Sequence, residues 1–118
     1  MNSKETLLLD TSVFFQKMKN LSHPAMRVAN YLLTKINCDD NVCYLTCQMI
    51  ADDLKLSKAT MVRVMKSLRN VDFVKRVRNG AWMMNPEVAF HGLPIDRDSY
   101  PKNIKIQEAL IDKYLVAE

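Results

Sequence analysis

Eight lysines and arginines fall between residues 55 and 80: Lys55, Lys58, Arg63, Lys66, Arg69, Lys75, Arg76 and Arg78. Asp72 is the single acid among them, which leaves the segment at +7. The chain as a whole carries +4, with 17 bases against 13 acids, so everything outside the segment balances at −3. A mildly acidic body therefore wears one strongly basic face. The chemistry open to such residues is recognition of a polyanion, and a phosphate backbone rewards it by releasing condensed counterions. A guanidinium can add base reading, because its fork reaches guanine O6 and N7 together.

Other chemistries find little footing. His23 and His91 stand apart from any metal-ligand spacing. Cys38, Cys43 and Cys47 lie within ten residues, but not as a C-x-x-C pair. An odd count without a secretion signal argues against a disulfide framework, so they read as small buried thiols. Asp52 and Asp53 read as a solvated helix face rather than a catalytic pair. Tyr31, Tyr44, Tyr100 and Tyr114 lack the His-hydrophobic-His motif that a strand-nicking initiator would need, and no glycine-rich phosphate loop is present. The expectation is a protein that is not an enzyme and uses no metal or cofactor.

With 118 residues, 48% of them apolar, the chain suits one domain with its own core. Two glycines and four prolines argue against a linker or low-complexity tail. No apolar run approaches the roughly 20 residues needed to span a bilayer. The opening MNSKETLLLD lacks the features of a signal peptide, so a cytoplasmic, nucleoid- or plasmid-associated protein without membrane contact is expected.

The elements that must position the basic face follow from caps and periodicity. Asp10 or Thr11 suits the cap of a short helix carrying Val13, Phe14, Phe15 and Met18, and Leu7–Leu9 also suit an edge strand. Ser22 caps a helix with Pro24 in its first turn, whose apolar residues Val28, Tyr31, Leu32 and Ile36 follow helical spacing up to Asn37. NVCYL reads as a short strand. Thr46 caps a helix over Cys47–Leu54 with Met49, Ile50 and Leu54 facing inward. After the three-residue break Lys55-Leu56-Ser57, Ser57 caps a helix over Lys58–Asn70. Its Met61, Val64, Met65 and Leu68 stand at i, i+3, i+4 and i+7, a core stripe that turns the bases outward. Asp72 suits a left-handed turn. FVKRV and WMM flank Asn79-Gly80, a hairpin signal that calls for positive φ at both turn residues. PEVAF suits one helical turn. HGLPIDRDSYPKN is an irregular connection, and a last helix over residues 103–116 carries Ile106, Leu110, Ile111 and Tyr114 as its apolar stripe. Trp82 reads as a core anchor of the hairpin.

Helix, strand, helix, tight turn, helix and hairpin is the order of a winged helix-turn-helix. The stretch LTCQMIADDLKLSKATMVRVMKSLRNVDFVKRV resembles that pattern, with Met61, Met65, Leu68, Phe73 and Val74 where it wants core residues and Asp72 where it usually has Gly. The extension RNGAWMMNPEVAFHG resembles RepL-type plasmid replication proteins, and the likeness spans about residues 22 to 92. It implies an α+β, mainly helical fold: a three-helix core plus a β-hairpin wing, with an additional C-terminal helix. The domain organisation expected is a winged-helix DNA-binding domain with an N-terminal extension over 1–92, then a connection and C-terminal helix over 93–118.

The resemblance and the charge together nominate double-stranded DNA as the partner. Residues 58, 59, 62, 63 and 66 share one helix face, in the half of the helix that reaches base edges. Arg63 is the candidate base reader, while Thr60 and Val62 suit a thymine methyl or the backbone. Ser57, Lys58, Lys66 and Arg69 suit phosphates, and Arg76, Arg78 and Asn79 suit the minor groove. Thr46 and Ala59 complete the set. The role implied is origin binding in plasmid or phage replication initiation, with replication or partition proteins as further partners. A transcriptional regulator, a plasmid partition (centromere-binding) protein and a winged-helix protein-interaction module without DNA remain alternatives. A homodimer on paired half-sites is expected, with the last helix either as its dimerisation element or packed back on its own domain.

Overall fold

Side chains set the start of four helices in a computed structural model that describes residues 6–117. Asp10, Ser22, Thr46 and Ser57 each accept from the backbone N–H three residues on, at 3.1, 3.3, 3.1 and 3.1 Å. Each such cap is worth about 1 kcal/mol. The helices they open are α1 (Thr11–Met18), α2 (His23–Leu33), α3 (Cys47–Leu54) and α4 (Lys58–Asn70). A fifth, α5 (Tyr100–Val116), follows Ser99 without a side-chain cap. Five short strands complete the order: β1 (Thr6–Leu9), β2 (Val42–Cys43), β3 (Val74–Arg78), β4 (Ala81–Met84) and β5 (Ala89–Gly92). Among the described residues the fold is α+β, about half helical, with two small antiparallel sheets, β1-β5 and β2-β4-β3.

The main core lies where α4 meets α2, α3 and the three-stranded sheet. Met61, Val64, Met65 and Leu68 are all buried, as the spacing of α4 requires. Each is worth about 1.5–3 kcal/mol against exposure. Phe73 and Met84 close the floor, and Phe14 of α1 meets Phe73 edge to face at 6.1 Å.

Strand β4 explains why AWMM is apolar at four successive positions. Trp82 and Met84 join the core beneath α4, while Ala81 and Met83 face a second cluster with Val42 and Tyr114 of α5. A strand covered on both faces cannot alternate with polar residues. α5 is fastened there by the Tyr114 hydroxyl, which donates to Asp72 at 2.7 Å, and by Lys75 Nζ, which donates to the Tyr114 carbonyl at 2.8 Å.

Several sequence expectations are corrected. α2 stops at Leu33, not near Asn37, because Thr34 Oγ1 and N–H both turn back to the Tyr31 carbonyl. Ile36 is buried beyond the helix end. In α3 the inward face is Ile50, Ala51 and the half-buried Leu54; Met49 is 48% exposed. PEVAF is not helical: Pro86–Val88 form a turn and Ala89 and Phe90 begin β5, paired with β1. Helix α5 begins three residues early, with Pro101 in its first turn, where a missing N–H does no harm. The expectations at the start of the described residues hold: Leu7–Leu9 lie in an edge strand, and α1 starts after its Asp10 cap.

Lys55 and Asp72 take left-handed conformations, at φ 57° and 60°. The first ends α3 and bends the chain through Leu56 and Ser57 into α4. At the hairpin only Gly80 has positive φ, 79°, so Asn79 departs from expectation. A bulge at Val77 supplies the remaining twist.

Candidate nucleic-acid interface

The bulge at Val77 decides where the hairpin arginines point. Arg76 pairs with Trp82 and Arg78 with Ala81, which occupy opposite faces of β4. Two residues that simple alternation would put on one face are thereby separated. Arg76 turns toward α4. Arg78 turns to the other face, its guanidinium 5.6 Å from the Tyr44 ring centre.

Between α4 and the hairpin runs a groove of about 760 Å³. Val62, Lys66, Arg69 and Asn70 form its helix wall, Arg76 and Asn79 its hairpin wall, and Trp82 with Cys47 lies deeper. A second groove of about 400 Å³ runs between the starts of α3 and α4, with Thr46, Gln48, Lys58 and Val62 along it. Val62, Cys47 and Asn79 border both. The hairpin tip is seated there because Gly80 rests on Thr46, whose Cγ2 lies 3.4 Å from where a Cβ would stand. Three elements therefore converge on one basic surface.

On α4 itself, the four core residues fix the opposite side outward. Ala59, Val62, Arg63 and Lys66 are exposed there, Val62 at 62% among charged neighbours. Arg63 borders neither groove and faces solvent from the crest. α4 carries Lys58, Arg63, Lys66 and Arg69 and no acid. Lys58 in the first turn opposes the helix dipole, a local cost of a few tenths of a kcal/mol, up to about 1.

Three expected contact residues have other duties. The Ser57 hydroxyl caps α4 and donates to Thr60 Oγ1 at 2.9 Å, and Thr60 is half-buried on the flank away from the hairpin. Thr46 Oγ1 is occupied in capping α3. Lys75, counted in the basic segment, leaves this surface altogether, its Nζ 4.6 Å from the Tyr114 ring centre.

Sequence reading missed Tyr44, Gln48 and Asn70. Tyr44 is 46% exposed and its phenol donates to Asp40, which pushes its pKa up against the opposing pull of Arg78. Alternation in VCYL was the available signal: with Cys43 inward, Tyr44 must face out. Gln48 donates to Asp52 at 2.7 Å, one turn along the exposed side of α3.

None of Cys38, Cys43 and Cys47 is in a disulfide. Burial raises the Cys43 thiol to about 12, and its Sγ lies 3.4 Å from the Leu32 carbonyl. Cys47 is half-buried; burial raises its pKa and Arg76 opposes the rise. Among the described residues no group of His, Cys, Asp and Glu is arranged to hold a metal, and no helix is long and apolar enough to cross a membrane. Compared with known proteins, the chain matches one family model, Firmicute plasmid replication protein (RepL), over residues 12–109. Neither the curated proteins nor the solved structures compared with it give a match.

Proposed function

Because the chain belongs to the RepL family of Firmicute plasmid replication proteins, we propose that it binds double-stranded plasmid DNA as a winged helix, at the origin where replication starts. In this reading α3, the Lys55–Ser57 turn and α4 are the helix-turn-helix, and the β3–β4 hairpin is the wing. α4 enters the major groove, which admits a helix of its width. Arg63 and Val62 meet base edges, Lys66 and Arg69 meet phosphates beside them, and Lys58 and Asn79 meet the backbone where α3 and α4 begin. Arg76 and Arg78, on the two faces of the wing, straddle the neighbouring minor groove.

The observation that carries the reading is the one-sided charge of α4: four bases and no acid on a helix whose opposite side is locked into the core. Lys58 supports it, because a base that opposes its own helix dipole gains most when a phosphate arrives. The role is binding rather than catalysis. Residues 1–92 form the DNA-binding domain, and residues 93–118 serve self-association. Such a protein works in the cytoplasm, where its plasmid and the replication machinery are.

Titration against random duplex at several salt concentrations tests the reading. Log K should fall steeply with log[salt], and Lys66→Ala should reduce that slope by about one unit. A salt-insensitive interaction would remove DNA from the account. Footprinting on plasmid DNA then separates an origin from a promoter or a repeat array.

A further inference from the structure

Helix α5 carries more apolar surface than its own domain covers. Asn103, Leu110 and Tyr114 are buried against the rest of the chain, so two of the four residues expected to drive dimerisation are spent on its own core. A second stripe remains. Tyr100 and Leu115 are 69% and 67% exposed, and Ile104 and Ile111 are half-buried. At about 100° per residue these four fall within about 60° of one another along the whole helix. Beside the first turns lies an apolar groove of about 730 Å³, with Leu8 and Leu9 of β1 on one wall and the 83% exposed Ile95 at its rim. Three of its polar side chains are engaged within the chain: Asn103 with Leu93, Gln107 with the Pro86 carbonyl, and Ser99 with Asp96.

We infer that this face binds a second copy of the chain through antiparallel packing of α5 on α5. Turned end for end, the stripe matches itself: Ile104 meets Ile111 of the second copy, and Tyr100 meets Leu115. The same register brings exposed Lys105 beside exposed Asp112 of the second copy, and two-fold symmetry repeats the pair. This charge match selects the occupant and its direction. A parallel two-fold would carry Lys105 and Asp112 of the second copy to the opposite flank, where the pair is lost. Glu108 falls at the two-fold axis, where it meets its own counterpart. α5 packs on the face of the β2-β4-β3 sheet opposite α4, so the pairing leaves the basic grooves open. The inference rests on the proposed DNA reading only for its purpose, which is to present two copies of α4 to paired half-sites.

Sedimentation equilibrium of the full chain, without DNA, tests it. A reversible monomer–dimer equilibrium is expected. Lys105→Glu and Asp112→Lys should each raise the dimer Kd by about tenfold, and the double variant should restore it. Glu108→Gln should tighten the dimer by removing the like-charge apposition. All three side chains are exposed, so unfolding midpoints should stay near that of the parent chain. A chain monomeric at every concentration, leaving the face to a different protein, overturns the inference. So does a dimer indifferent to these substitutions. The DNA reading stands or falls separately, on the salt titration.

Discussion

The β2-β4-β3 sheet is covered by α4 on one face and α5 on the other, and the two helices handle charge in opposite ways. α4 gathers four bases and no acid on the side away from its core stripe. α5 mixes Lys102, Lys105 and Lys113 with Glu108 and Asp112, and carries two neighbouring apolar stripes. The shared strand asks the same of both helices, an apolar face against Trp82 and Met84 or against Ala81 and Met83. What it leaves free is the outward side. There, one helix is built for a polyanion and the other for a mixed-charge protein surface.

The largest expected effect breaks both faces at once. Phe73→Ala removes a fully buried ring between α1, α4 and the sheet, and should cost about 3–5 kcal/mol in denaturant unfolding. A loss under 1 kcal/mol would mean the two faces do not share this support. Next, Arg63→Ala should cost about 1–3 kcal/mol on the specific site and little on random duplex. Equal losses on both DNAs would refute base reading by Arg63.

Tyr114→Phe probes the other side. It deletes the hydroxyl bond to Asp72 and should lower stability by about 0.5–1.5 kcal/mol, with random-duplex affinity unchanged. A parallel drop in affinity would show that the faces are coupled. The smallest effect concerns Cys43. Its thiol, raised to about 12, should resist alkylation in the folded chain at pH 8, as mass spectrometry would read. The folded state favours the neutral thiol. Its contribution is therefore complete below the ordinary value of 9.0 and fades as pH climbs toward 12. Rapid labelling of Cys43 in the native state would contradict its burial.

What was legible in the sequence was whatever neighbours in the chain decide. The caps at Ser22, Thr46 and Ser57, the stripe of α4 and the left-handed Asp72 all depend on residues within a turn of one another. The basic surface was legible for the same reason, since most of it lies on one helix. Distant partners were not. Nothing in PEVAF announces that Ala89 and Phe90 pair with Leu9 and Leu8. Met49 has the spacing of a core residue, yet α3 is covered only on the side of Ile50 and Ala51. The separation of Arg76 from Arg78 hangs on one bulged residue, which alternation cannot foresee. Lys75 counted as one more positive charge until α5 was there to hold it.

The pairing of β1 with β5 has a consequence for how the protein is made. Thr6 pairs with Gly92, and Gly92 has no room for a side chain: a Cβ would stand 2.7 Å from Leu8 Cδ1 and 2.6 Å from Asn103 Oδ1. On the ribosome, Leu7, Leu8 and Leu9 emerge well ahead of the strand they pair with and wait while residues 10–88 follow. Their partner strand follows only at Ala89, and the loop they close runs over residues 10–88, about two thirds of the 118 residues, which adds closure entropy. During that interval three leucines and an unpaired strand edge are open to whatever else is nearby. A nascent or cleaved chain that stops short of residue 89 keeps the basic residues but lacks both β5 and α5, so β1 is unpaired, the Ala81 and Met83 face of the sheet is uncovered, and this is the form most prone to aggregate.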